Sequence, residues 1–530
     1  MAEKNNANIG FEKQIWDAAC VLWGHIPAAE YRKVIIGLIF LRYISSAFDR
    51  RYQELVEEDE GFEDDRDAYA MENVFFVPEE ARWDTISLAA HTPEIGTVID
   101  NAMRAIEAEN KSLKNVLPKN YANPDLDKRV LGDVVDIFTN SMDMDDTEES
   151  KDLLGRTYEY CIAQFAAHEG VKGGEFYTPS SIVKTIVAIL KPFSNCRIYD
   201  PCCGSGGMFV QSMKFVDRHN GNRQEVSIIG QESVPDTWRL CKMNLAIRGI
   251  AHNLGETNAS TFTHDLHKDK KVDFIMANPP FNLKGWRTED ALKDDPRFIK
   301  AGYSVMPPVA NANYAWILHM LSKLDVNHGI AGFLLANGAL NAGDAEYTLR
   351  KEILERDRVE AIIVLPRDMF YTTDISVTLW IVNMNKKAGL WNGRQLRDRT
   401  NQILFMDLRC WDENVEEIVI DKGKRKKKTI LTDVQIAQVK RIYNSWQDAD
   451  TSLYEDVPEL CKSATLEDIR AKDYSLAPSK YIEFIDHDLD IDYEQEMARI
   501  QNEMRLLMVS EELSQSMLKD AFRGIGYGID

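Results

Sequence analysis

Two short segments bring together residue types that chemistry needs side by side. In Asn278-Pro279-Pro280-Phe281 a carboxamide, two prolines and an aromatic ring follow the apolar run Val272 to Ala277. An adenine amino group is a poor nucleophile because its lone pair is delocalised into the ring. The Asn278 side-chain oxygen and the Pro279 carbonyl form an acceptor pair that can hold both amino hydrogens and favour the geometry in which that lone pair attacks. Proline carries no N–H, so Pro279 and Pro280 set the backbone without adding a competing donor. Phe281 can then stack on a base that has left its helix, returning about 1–3 kcal/mol against a flipping cost of similar size.

The second segment runs from Ile198 through Asp200-Pro201-Cys202-Cys203-Gly204-Ser205-Gly206-Gly207 to Met208. A strand that ends in a glycine turn and opens a helix lets a nucleoside-bearing cofactor approach the backbone. The spacing lacks the full Gly-x-Gly-x-x-Gly of a dinucleotide site. Glu232, at the end of the next strand, is placed to accept from two ribose hydroxyls, and Asp265, one strand further, from a cofactor adenine amino group. The two segments together point to S-adenosylmethionine meeting a flat, amino-bearing base. A sulfonium methyl is already activated, so alignment can supply much of the barrier reduction without a general base.

The elements that must position these residues follow from periodicity. Short apolar runs at Arg197 to Asp200, Ser227 to Gln231, Val272 to Ala277, Ile330 to Ala336, Glu360 to Leu365 and Val377 to Val382 alternate with amphipathic helices near Met208 to Val216, Pro235 to Arg248, Tyr314 to Leu324 and Glu346 to Arg356. Such alternation predicts a mostly parallel sheet covered on both faces. Residues 1–165 read as helical, with apolar spacing in Phe11 to Leu22, a helix from Ala28 through Tyr43, and another over Lys151 to His168. The acidic stretch Glu57 to Asp67 reads as a solvated loop. A final helix, Asp492 to Phe522, carries Met497, Ile500, Met504, Leu507 and Leu513 on an otherwise polar surface, a stripe that docks on another part of the chain or on a partner.

At 530 residues the chain exceeds one ordinary core, so several domains are expected. The apolar run Val34 to Tyr43 is too short to span a bilayer, and the first residues lack the order of a signal peptide, so no membrane contact and a cytoplasmic location are expected. Eight cysteines without a Cys-x-x-Cys form neither a disulfide framework nor a zinc site, so no metal is expected. The net charge of −22 means that any nucleic-acid contact must draw on a local basic patch or a basic partner. The best local patch is Lys422-Gly423-Lys424-Arg425-Lys426-Lys427-Lys428, read as the tip of a hairpin between Glu417 to Ile420 and Thr429 to Leu431. Such a tip gives phosphate affinity without sequence information, and a plain solvated tip is the alternative. No Gly-x-x-x-x-Gly-Lys-[Ser/Thr] loop occurs, so the chain is not an ATP-driven motor.

Three motifs in this order, Gly174-Glu175-Phe176-Tyr177-Thr178-Pro179, Asp200 to Gly207 and Asn278 to Phe281, resemble N6-adenine methyltransferases of the gamma group. With Asn313-Tyr314-Ala315-Trp316, Asp473-Tyr474-Ser475-Leu476-Ala477-Pro478 and the long helical region ahead of them, the chain resembles the modification subunit of a type I restriction-modification system over nearly its whole length. The resemblance implies an α/β, Rossmann-like S-adenosylmethionine-dependent methyltransferase sheet over 166–480, with its core at 175–385 and a hairpin with partner-facing elements at 386–480. A helical N-terminal domain at 1–165 and a C-terminal helical tail for subunit docking at 481–530 complete it. It also implies a cofactor pocket lined by Glu175, Phe176, Tyr177, Thr178, Pro179, Ser180, Ser205, Gly206, Gly207 and Glu232, beside Asp200 and Gly204, and an adenine site at Asn278 to Phe281.

Cys202-Cys203 replaces the small residues common in that turn. The partners implied are double-stranded DNA, one specificity subunit shared by two copies of this chain, and an optional ATP-dependent restriction subunit. The loop Leu283 to Ala312, rich in Gly, Asp, Pro and Asn, is expected to close over the flipped base. Alternatives from the sequence are a stand-alone adenine-N6 or other amino-group methyltransferase, acting on RNA or a protein glutamine, and a catalytically silent assembly subunit.

Overall fold

The computed structural model describes residues 28–58, 61–141, 160–161, 177–370, 374–421, 424–485 and 493–524. The expected helices at Phe11 to Leu22 and Lys151 to His168 fall outside these residues, apart from Tyr160 and Cys161, which are helical. Gly174, Glu175, Phe176, Lys422 and Gly423 also lie outside them. The chain divides into two compact units, Met1–Ile482 and Glu483–Asp530.

In the first unit the longer helices are α1 (Ala28–Glu58), α2 (Ile95–Glu109), α3 (Lys128–Ser141), α4 (Ser180–Leu190), α5 (Gly207–Arg218), α6 (Pro235–Ile247), α7 (Asn313–Lys323), α8 (Asp344–Glu355) and α9 (Asp433–Gln447). The strands are β1 (Arg197–Asp200), β2 (Ser227–Gly230), β3 (His252–Asn253), β4 (Phe274–Ala277), β5 (Ile330–Ala336), β6 (Val359–Val364), β7 (Val377–Asn383), β8 (Gly389–Trp391), β9 (Arg394–Leu396), β10 (Gln402–Asp407), β11 (Val415–Asp421), β12 (Lys424–Thr429) and β13 (Cys461–Thr465).

Nine strands form one sheet in the order β3-β2-β1-β4-β5-β7-β6-β10-β13. The pairs β2/β3, β1/β2, β1/β4, β4/β5 and β6/β10 are parallel, whereas β7 runs against both its neighbours and β13 against β10. The strand order reverses between β1 and β4, and in open α/β sheets the crevice at such a switch point, beyond the carboxyl ends of the strands, is where ligands bind. Asp200 and Ala277 end those two strands, so both chemical segments begin there.

Side chains alternate between the two faces, as a pleated strand requires. Ile198, Phe274, Met276 and Leu334 join a core that also holds α1, α2, α4, α5 and α6. Tyr199, Ile275, Phe333 and Leu335 join the opposite core with α7 and α8. Every residue of β5 is buried, which explains its unbroken apolar run. The helical N-terminal segment therefore shares its core with one face of the sheet.

The basic run differs from its expected form. Lys424–Thr429 is itself the strand β12, with Glu416, Glu417 and Ile418 opposite Lys428, Lys427 and Lys426. Thr429 ends that strand rather than beginning one. Lys426 and Lys428 both reach Asp374, at 2.7 and 3.0 Å, and Lys428 is buried. This double contact holds the Asp374 carboxyl well below its ordinary range. The run is thus partly neutralised within the fold, and Lys427 stays exposed.

The second unit contains a helix, α10 (Tyr493–Gly524), on which Met497, Ile500, Met504, Leu507 and Leu513 are all exposed.

Candidate functional site at the switch point

The turn after β1 depends on two backbone conformations that favour glycine. Gly204 has φ +53° and Gly206 has φ +83°. At Gly206 a Cβ would also stand 2.9 Å from the Cys241 sulfur of α6, whereas at Gly207 it would meet open space. Gly206 N donates to Cys203 O at 2.8 Å and caps α5, which starts at Gly207. The turn is held from outside as well, because Asn244 Nδ2 on α6 donates to Ser205 O at 2.6 Å. Asn244 escaped the sequence reading, although an asparagine among apolar neighbours on a buried helix face signals a specific acceptor.

Asp200 accepts from Cys202 N at 3.0 Å, and Glu232 accepts from Gly204 N at 3.1 Å and Val234 N at 2.9 Å. Both carboxylates are buried, and among the described residues neither forms an ion pair. Burial pushes Asp200 up to about 7, with Glu232 adding to the rise, and burial also raises Glu232 against the backbone N–H groups that favour its charged form.

Asn278 faces this turn. A cleft is lined by Tyr177, Thr178, Asp200, Cys202, Cys203, Gly204, Ser205, Gly207, Met208 and Asn278. Asn278 Nδ2 donates to Thr178 Oγ1 at 3.0 Å, which fixes the amide and leaves its Oδ1 buried without a partner among the described residues. An unpartnered buried acceptor costs about 1–3 kcal/mol, so the position calls for a donor from a ligand. Pro279 is buried, and Pro280 and Phe281 are half-buried. Phe281 meets Phe370 edge to face, with centroids 5.7 Å apart, a second ring that the sequence reading did not include. Pro179 caps α4, and Ser180 is exposed at its first turn.

Two expectations change. Asp265 does not line the cleft; its carboxylate is buried against Lys323 Nζ at 2.6 Å and accepts from His267 N at 2.9 Å. Lys323, at the end of an almost wholly buried α7, is the residue whose isolation should have signalled that pair. The loop Leu283 to Ala312 is not a free lid, because Trp286, Phe298 and Tyr303 are buried in it. Arg297 anchors its middle by donating to Thr261 O at 2.8 Å and Phe262 O at 2.6 Å.

Among the described residues the cleft offers one buried carboxylate without a cation, Asp200, an unpartnered carboxamide oxygen and open space over Gly207, while Glu232 does not line it and holds the turn from behind through Gly204 N. That donor and acceptor set fits a cationic, hydroxyl-bearing cofactor. Fold and site together define a Rossmann-like methyltransferase with its cleft at the ends of β1 and β4.

The N-6 DNA methylase family matches residues 149–489, and the HsdM N-terminal domain matches residues 11–138. The chain belongs to the N-6 DNA methylase family. It is 33% identical to the type I restriction enzyme MjaIX methylase subunit of Methanocaldococcus jannaschii, over 98% of this chain and 92% of that one. It is 36% identical to the type I restriction enzyme HindI methylase subunit of Haemophilus influenzae, over 85% of this chain and 100% of that one. In fold it is similar to the type I restriction-modification system methyltransferase subunit from Streptococcus thermophilus, with a TM-score of 0.73, 24% identity, and coverage of 89% and 99% of the two chains. Among the described residues no helix is long and apolar enough to cross a membrane.

Proposed function

We propose that this chain is the modification subunit of a type I restriction-modification complex and transfers a methyl group from S-adenosylmethionine to N6 of an adenine flipped out of double-stranded DNA. One observation carries the reading: the buried Asn278 Oδ1 has no partner among the described residues and stands in the same cleft as the glycine turn. The bound cofactor supplies a methyl group already activated by a sulfonium. Asn278 Oδ1 and the Pro279 carbonyl accept the two amino hydrogens of the adenine, and Phe281 stacks on its ring. The turn Gly204 to Gly207 would give the cofactor close access to backbone, Asp200 and Glu232 would supply negative charge and acceptors, and the Tyr177 ring would offer a face to the cationic sulfonium, a contact of about 0.5–2 kcal/mol. In the transfer the amino nitrogen would gain the methyl group that the sulfonium gives up, and its surplus proton would pass to water.

Sequence selection belongs to a separate specificity subunit that joins two copies of this chain in the cytoplasm, with an ATP-dependent restriction subunit as a further partner. The exposed stripe of α10 supports a docking role for the tail at 481–530. The test is long-read sequencing of DNA from cells that express this chain with its genomic neighbours. N6-methyladenine should appear at one recognised sequence only when this chain and the specificity subunit are both present. Methylation by the chain alone at the same sequence would overturn the assembly, and no methylation in any combination would overturn the activity.

A further inference from the structure

A second cleft lies at the other end of the sheet. β4 and β5 run in parallel, with Phe274 opposite Ile330 and Ala277 opposite Phe333, so Ile330 marks the end remote from Asn278. Around Ile330, the hairpin β8–β9, the end of α4 and one face of α9 enclose a recess of about 200 Å³. Lys191, Lys387, Arg394 and Arg399 line it, and no carboxylate does, in a chain of net charge −22. Arg399 is compensated from behind by Glu360 at 2.8 Å, and Arg394 reaches Asp448 only at 3.9 Å. Lys191 donates to the Asn444 side chain, and Arg394 shares that acceptor. Burial, with Arg394 and Lys440 nearby, pushes the Lys191 ammonium down to about 7.

Two further features say what kind of ligand the recess would take. The Tyr443 hydroxyl, 1% exposed on α9, lines it with no well-aligned hydrogen bond among the described residues, and burial together with the nearby Glu360 carboxylate keeps it protonated as a donor. A buried hydroxyl in that state donates readily to an anionic oxygen. The wall also includes the half-buried indole of Trp391, a flat surface on which an aromatic base can stack. Cations, a hydroxyl donor and an indole in one small recess match a compact anion carrying a flat ring more closely than they match a polymer backbone.

We propose that this recess is a second ligand site that binds a nucleoside monophosphate, its phosphate on Lys191, Arg394 and the Tyr443 hydroxyl and its base on Trp391. The site is separate from the methyl-transfer cleft and does not depend on the activity proposed for it.

The test is calorimetric titration of the full chain with AMP and with inorganic phosphate, in the presence of saturating S-adenosylhomocysteine to occupy the other cleft. AMP is expected to bind, more tightly than phosphate by about tenfold or more. Arg394→Gln should weaken AMP and phosphate alike by roughly tenfold. Trp391→Ala should remove the preference for AMP and leave phosphate binding in place. Arg394 also helps hold α9, so Lys387→Glu, at an exposed position on the rim, serves as a second variant that should weaken AMP with the melting temperature unchanged. Three results would overturn the proposal: no AMP binding in the presence of S-adenosylhomocysteine, AMP binding insensitive to Arg394→Gln and Lys387→Glu, or displacement of AMP by a short DNA duplex, which would make the recess a backbone contact.

Discussion

The two ends of the central sheet carry opposite charges in the same condition. Among the described residues, Asp200 and Glu232 are buried at the carboxyl end without a cation, and Lys191 at the other is held among cations without a carboxylate. Several buried charges elsewhere in the fold come as pairs, while Asp100 and Arg350 are held by backbone groups. Arg399 meets Glu360 at 2.8 Å, Lys323 meets Asp265 at 2.6 Å, and Arg197 meets Asp273 at 2.9 Å. A paired buried charge is compensated by the protein and serves to hold loops in place, whereas an uncompensated one raises the free energy of the empty fold and is relieved by a ligand of opposite sign.

The largest effect that would test this contrast is expected at Asn278. Asn278→Ala should lower the rate of methyl transfer on the order of 10³-fold, about 4 kcal/mol, with S-adenosylmethionine affinity nearly unchanged in equilibrium dialysis. Retained turnover would break the assignment of the carboxyl end.

Next comes Asp200. Its folded pKa lies above the ordinary carboxylate value, so its contribution is fully present below about pH 4 and is lost as pH rises through about 7. Asp200→Asn removes that titration. The variant's stability relative to the parent should therefore rise by on the order of 3 kcal/mol between pH 4 and pH 8, read from urea midpoints of the cofactor-free chain. A constant difference across that range would show that the carboxylate is compensated after all.

Phe281→Ala should weaken the hold on an extrahelical base by about 1–3 kcal/mol, followed by the fluorescence of 2-aminopurine at the target position, and should leave cofactor binding intact. The smallest effect belongs to the basic strand. Lys427→Ala should weaken DNA binding about equally for all sequences and reduce the slope of log affinity against log salt by about 1. A larger or sequence-dependent loss would mean that β12 reads bases.

Much of the site was legible because its chemistry sits in contiguous residues at strand ends. β1 and β5 fall where their apolar runs stand, Arg197–Asp200 and Ile330–Ala336, and β4 and β6 differ from expectation by only one or two residues. The reversed β7 was not legible, since a fully buried strand reads the same in either direction. β10 and β13 extend the sheet beyond the expected strands, with pairing partners far apart in sequence. β12 was hidden because its lysines look like a loop until Asp374 and the facing glutamates are brought opposite them. Asp265 was misplaced for a related reason: only the fold shows that Lys323 ends beside it.

The most direct test of the central claim is ultraviolet crosslinking of the full chain to methyl-labelled S-adenosylmethionine, followed by peptide mapping. Label should appear in peptides carrying Tyr177 to Met208 or Asn278 to Phe281, the residues that meet in the cleft at the switch point. Label confined to peptides around Asn383 to Arg399 and Tyr443, at the opposite end of the sheet, would contradict the account.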